Sequence, residues 1–152
     1  MTIPVTIKFK KLTPEAVIPS YAHPGDAGAD LVAIGYHTLA PLQHLAIPTG
    51  LAAEIPQGYE MQVRPKSSLA LKHGITLLNT PGTVDAGYRG EIKVILINLG
   101  PTQFEITSGQ RIAQIVIAPV TQARFVTVES LNTSQRGEGG FGSTGKTYNN
   151  QG

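Results

Sequence analysis

The chain has 152 residues, with 12 Lys and Arg against 10 Asp and Glu, a net charge of +2, and charged residues only 14% of the whole; that is the size of one domain. Apolar residues at 41% suffice for a core, yet no apolar run approaches the roughly 18 residues of a membrane span, which excludes a helical membrane protein. Zero cysteines exclude a disulfide framework, a thiolate zinc site and a cysteine nucleophile, and the lack of any Lys/Arg block argues against polymeric nucleic acid as a partner.

At the N-terminus Ile3, Val5, Ile7 and Phe9 alternate at a period of two, with no apolar h-region or small-residue cleavage site. This predicts a first strand over 3–9 and a cytoplasmic, intracellular protein. The 17 glycines and 11 prolines fall between short apolar runs about every ten positions. That punctuation predicts an all-β chain, with further strands at 29–33, 44–48, 51–55, 59–63, 75–78, 90–98, 104–106, 112–119 and 124–128, a number suited to a sandwich or jelly roll. Only SSLALK at 67–72 reads as helix, about a turn and a half, with a serine available as its cap. EIKVILIN at 91–98 and IAQIVIAP at 112–119 carry β-branched residues on both alternating faces. Both strands are therefore expected to be covered on both sides, which in so small a chain implies subunit contact. From 132 to 152 the chain has six glycines and only Phe141 and Tyr148 as large apolar groups. It is predicted to be a tail appended to a single core domain over 1–131.

Three segments offer chemistry. RGEGGFGSTG at 136–145 combines a cation, glycines that let backbone N–H groups turn toward an anion, an aromatic and two hydroxyls, which suits a phosphate chain and a base; it equally describes a plain flexible tail. RPKSSLALKHG at 64–74 brings two cations and two serines to the start of the short helix, where an anion or merely a solvated cap would fit. GTVDAGYRG at 82–90 sets Asp85 beside Tyr88 in a loop entering a buried strand, and taken alone is also an ordinary tight hairpin. The histidines at 23, 37, 44 and 73 have no metal-ligand spacing.

Taken in order, AGADL at 27–31, the 64–74 segment, the 82–92 segment, GQRIAQI at 109–115 and the 136–142 segment resemble the five ordered motifs of the trimeric dUTP pyrophosphatases, or dUTPases. The resemblance spans 26–146. It implies a jelly-roll, β-clip type homotrimer with sites at subunit junctions. The implied reaction is attack of water on the α-phosphorus of dUTP, with Mg²⁺ on the triphosphate, giving dUMP and pyrophosphate. This keeps uracil out of DNA and supplies dUMP for dTMP synthesis.

By the same resemblance Asp85 orients and deprotonates the water, and Asp30 holds the metal through its waters. Arg64, Lys66, Ser67, Ser68 and Gln114 serve the phosphates. Asn79, Gly82, Thr83 and Val84 surround uracil, and Tyr88 lies beneath the deoxyribose, leaving no room for a 2′-hydroxyl. Phe141 stacks on uracil while Arg136, Gly142, Ser143 and Thr144 meet the phosphates, so the tail acts as a lid. Two positions depart from the family pattern: Lys66-Ser67-Ser68 replaces the usual arginine and Ser-Gly, and Gly87 stands where an acidic residue is common. The related dCTP deaminases share the fold, but their catalytic glutamate corresponds here to Ile95, which cannot carry a proton.

Overall fold

In the computed structural model, which describes residues 3–147, period-two alternation folds the chain into β1 (Lys8–Lys11), β2 (Ala29–Val32), β3 (His37–Leu39), β4 (His44–Glu54), β5 (Tyr59–Arg64), α1 (Ser67–His73), β6 (Ile75–Leu77), β7 (Gly82–Val84), β8 (Glu91–Asn98), β9 (Phe104–Ile106) and β10 (Arg111–Pro119). The all-β expectation with one short helix holds. Two four-stranded sheets, β1-β4-β8-β6 and β2-β10-β5-β7, share one hydrophobic core, and β3 and β9 form a two-stranded ribbon. Every strand pair is antiparallel. On β8, Ile92, Val94 and Leu96 are buried, facing Ile47 and its neighbours on β4, while Leu31, Met61, Val63, Ala113 and Ile115 line the core from the other sheet.

The contacts divide the chain into two compact units, Met1–Thr121 and Gln122–Gly152. Residues 122–128 pair with no strand, so the strand expected at 124–128 is absent from the chain. Its alternating apolar side chains are open to solvent, Phe125 at 93%. In the second unit the described part of the tail is a series of turns, closed by Gly139 N–H to Arg136 O, Ser143 N–H to Gly140 O and Gly145 N–H to Gly142 O. Tyr148 and the rest of the expected tail lie outside the described residues, as do Met1 and Thr2.

Other boundaries move for local reasons. Of the expected 3–9 strand only Lys8 and Phe9 pair, and β1 continues to Lys11 against β4. The two strands expected at 44–48 and 51–55 are one, because a register shift between Pro48 and Ala52 absorbs the turn signal at Gly50. Gly50 has φ +67°, and its N–H donates to the Glu91 carboxylate at 3.0 Å, so the bulge is satisfied by a side chain rather than by water. The segments at His37–Leu39 and Gly82–Val84 pair as strands although only three residues long. No serine caps α1; Lys66 takes the N-cap and no side chain bonds the first turn. Within the chain β8 and β10 are buried on one face only, with Ile95, Ile97 and Val116 half-buried on the other.

Asn98 is fully buried and ties three segments together. Its amide donates to Leu39 O at 2.9 Å and Thr102 O at 2.8 Å, and its oxygen accepts from Gly100 N–H at 2.9 Å. Asn98→Ala leaves Leu39 O buried without this donor and takes the partner from the part-buried Thr102 O and Gly100 N–H, which should cost about 1–3 kcal/mol in urea unfolding with an unchanged m-value. A loss below ~0.5 kcal/mol would mean water replaces the side chain freely.

Candidate functional site

The core alternation that buries Leu31, Val63, Ala113 and Ile115 turns their neighbours outward. Gln114 lies opposite Asp30 on β2 and opposite Arg64 on β5, so Asp30, Gln114 and Arg64 form one row across three strands on the outward face of their sheet. Just past β5, Lys66 pairs with the Asp30 carboxylate through Nζ, and Arg111 Nε lies 3.4 Å from the other Asp30 oxygen. Gln114 donates from its amide to Pro65 O at 2.9 Å, fixing the approach to α1. Arg64 donates to Gln62 Oε1 from both Nε, at 3.0 Å, and Nη2, at 2.6 Å. Ser67 and Ser68 open α1 beside this row, where first-turn N–H groups have no side-chain cap. Three cations, one carboxylate and an amide thus converge on one polar surface, and an oligophosphate is the ligand that matches them. Among the described residues no three His, Asp or Glu converge to hold a metal ion. A divalent cation here would keep most of its water and lean on the ligand's oxygens.

The second group of expected residues gathers elsewhere. Thr83, Val84, Asp85 and Tyr88 line a cavity of about 460 Å³ with Glu91, Lys93 and Ile95 of β8. Its floor is the outward face of the β4–β8 pair, since Ala46 lies opposite Ile95. A narrower recess of about 60 Å³ beside it is lined by Asn79, Gly82, Val63 and Leu77 and shares Thr83, Val84, Lys93 and Ile95. β7 is the edge strand of its sheet, so one side of its backbone has no strand partner and is available to a planar polar ligand. A Cβ at Gly82 would come within 3.3 Å of both Asn79 Nδ2 and Val63 Cβ, so a side chain there would press the Asn79 amide away from β7.

The loop after β7 holds its own shape. Tyr88 N–H donates to Asp85 O at 3.1 Å, closing the turn. Arg89 donates from Nη1 to Ala86 O at 2.7 Å and Tyr88 O at 3.1 Å, and the Tyr88 hydroxyl donates to Glu91 O at 2.9 Å. The Asp85 side chain is left exposed at the cavity wall.

In the second unit Arg136 Nε donates to Gly139 O at 2.7 Å, and the exposed Phe141 has φ +51°, a left-handed conformation uncommon outside glycine. Gly142, Ser143 and Thr144 continue the same run of turns. Sequence reasoning missed Lys93 and Arg111. Both had a signal: Lys93 is two residues past Glu91, on the same face of its strand as Ile95, and Arg111 is three before Gln114 in the GQRIAQ segment.

Comparison with known proteins finds dUTPases by sequence and by structure. The dUTPase family model matches residues 14–145. The deoxyuridine 5′-triphosphate nucleotidohydrolase of Wolinella succinogenes is 56% identical over 141 residues, covering 93% of this chain and 95% of that protein. That of Nautilia profundicola is 57% identical over 140 residues, covering 92% and 99%. A dUTPase of Staphylococcus bacteriophage 80alpha, solved with dUPNHPP, superposes with a TM-score of 0.86 at 28% identity, covering 93% of this chain and 99% of that one.

If the row around Asp30 is an oligophosphate surface, inorganic tripolyphosphate at low salt should raise the melting temperature by about 5 °C near saturation. The Arg64→Ala/Lys66→Ala variant should lose most of that rise. An equal rise in both proteins would put the anion elsewhere.

Proposed function

The chain belongs to the dUTPase family and hydrolyses dUTP to dUMP and pyrophosphate, and we propose that it does so in a homotrimer whose sites are shared between chains. What supports this reading most is the position of the two groups of site residues. The cavity at Asp85 and Tyr88 opens on the outward face of β4–β8, while the row of Asp30, Gln114 and Arg64 is on the outward face of the other sheet. Outward faces of two packed sheets point away from each other, so one nucleotide bridges both groups only if they come from different copies. The half-buried Ile95 and Ile97 and the unpaired, exposed Phe125, Val126 and Val128 are surfaces such an assembly would cover.

In this reading the uracil edge meets the free backbone side of β7 at Gly82, Thr83 and Val84, and the Asn79 amide. A fixed set of donors and acceptors rejects cytosine, whose amino group would face a donor. Tyr88 packs below C2′ and leaves a ribose hydroxyl neither room nor partner. Arg64, Lys66, Ser67, Ser68 and Gln114 hold the phosphates. Asp85 accepts a proton from the attacking water while holding it in line with the α-phosphorus, and the cations meet the charge that develops on the phosphate oxygens.

Mg²⁺ bound with the triphosphate would supply charge neutralisation. Asp30 fits as its holder. Both carboxylate oxygens face N–H donors, from Lys66 and Arg111, and would accept as readily from the water of a hydrated cation, leaving Lys66 to serve the phosphates. The tail closes as a lid, with Phe141 on the base and Arg136, Gly142, Ser143 and Thr144 on the triphosphate. Ile95 at the cavity wall has no titratable group, which disfavours deamination of dCTP at the same place.

Asp85→Asn keeps the size of the side chain and removes the base. Pyrophosphate release from dUTP should fall roughly 10²-fold or more while dUTP still binds in a direct titration. Turnover near that of the wild type would end the role given to Asp85.

A further inference from the structure

The Tyr88 ring does not stand free beside the cavity. It folds back along its own chain, over Gly90, so that its hydroxyl reaches Glu91 O at 2.9 Å. A Cβ built at Gly90 would lie 2.6 Å from Tyr88 Cζ and 2.9 Å from Cε1, and also against the hydroxyl oxygen. An aromatic ring cannot bend to relieve such contacts; it can only rotate about its side-chain torsions and give up the hydrogen bond. Gly90 has no left-handed φ, so its backbone would accept a side chain, and the three nearest atoms such a side chain meets, all under 3 Å, belong to the Tyr88 ring and its hydroxyl. Arg89 holds the carbonyls of Ala86 and Tyr88, so the ring yields before the backbone does. Three positions earlier, Gly87 has nothing within 4 Å of its virtual Cβ, so the same substitution there meets open space.

We infer that Gly90 is a positioning residue for sugar selection: it is the seat that sets the depth of the Tyr88 ring in the cavity, and through that ring it determines discrimination against a ribose 2′-hydroxyl. The inference rests on the reading that Tyr88 packs below C2′ and extends it to a residue that touches no substrate. With a methyl at position 90 the ring leaves its seat and the Glu91 carbonyl. The gap that excludes a 2′-hydroxyl is then no longer fixed.

The test measures kcat/KM for dUTP and for UTP in four variants: Gly90→Ala, Gly87→Ala, Tyr88→Ala and Tyr88→Ala/Gly90→Ala. Gly90→Ala should lower the dUTP/UTP ratio by about 10-fold, and Gly87→Ala should leave it unchanged. The double variant should match Tyr88→Ala alone, because removing the ring removes the contacts under 3 Å that a methyl at position 90 would make, so the two effects share one cause. If Gly90→Ala unfolds, the double variant should refold, since the clash has gone. An unchanged ratio in Gly90→Ala, or a double variant well below Tyr88→Ala, overturns the inference. A Tyr88→Ala ratio equal to wild type overturns instead the reading of Tyr88 on which it rests.

Discussion

Two sheets that share one core have to turn their other faces apart, and the chemistry of this chain is divided by that constraint. Burying Leu31, Val63, Ala113 and Ile115 turns Asp30, Arg64 and Gln114 outward on one side, and burying Ile92, Val94 and Leu96 turns Glu91, Lys93 and Ile95 outward on the other. The polar row and the cavity are therefore both by-products of period-two alternation around the same core. On the reading proposed here, assembly is part of the active site as well as of stability, which gives the half-buried Ile95 and Ile97 a reason to be where solvent would otherwise meet them.

Charge is arranged so that each half is stable before substrate arrives. Asp30 between Lys66 and Arg111 is a partly buried carboxylate with its charge balanced, and neither cation is left alone on the surface. On the proposed reading, Lys66 would turn to the phosphates of a bound triphosphate, and Asp30 would be free to face a hydrated cation. The loop carrying Asp85 and Tyr88 needs no such exchange, because Arg89 and the Tyr88–Glu91 hydrogen bond hold its shape from within. Glu91 serves both architecture and site, satisfying the Gly50 bulge with its carboxylate and tethering Tyr88 with its carbonyl. A substitution there would take the carboxylate from the bulge and leave the carbonyl that holds Tyr88 in place.

Much of this was legible in the sequence where a pattern repeats. The alternation in EIKVILIN and IAQIVIAP marked β8 and β10, and the ordered glycine-bearing segments brought together residues that are indeed neighbours in space, Asp30 with Lys66 and Gln114, and Thr83 with Asp85 and Tyr88. What escaped has physical reasons. β3 and β7 are three residues long, too short for a period to register. Residues 124–128 carry a strand-like alternation, but a strand exists only with a partner, and none is supplied within the chain. Lys93 was hidden because branched residues on both faces of β8 leave the outward face undetermined until the register is known. Gly90 could not be recognised at all from sequence, since its role depends on where a ring two residues earlier comes to rest.

The division of the site between copies is tested most directly by complementation. Asp85→Asn chains and Arg64→Ala/Lys66→Ala chains, each inactive in its own homotrimer, are differently tagged, co-refolded and purified as mixed trimers. If hairpin and phosphate row of one site come from different chains, every mixed trimer keeps one of its three sites with both parts intact, and about a third of wild-type activity should return. Mixed trimers with no activity above either parent would mean that each chain carries a whole site, and would contradict the account.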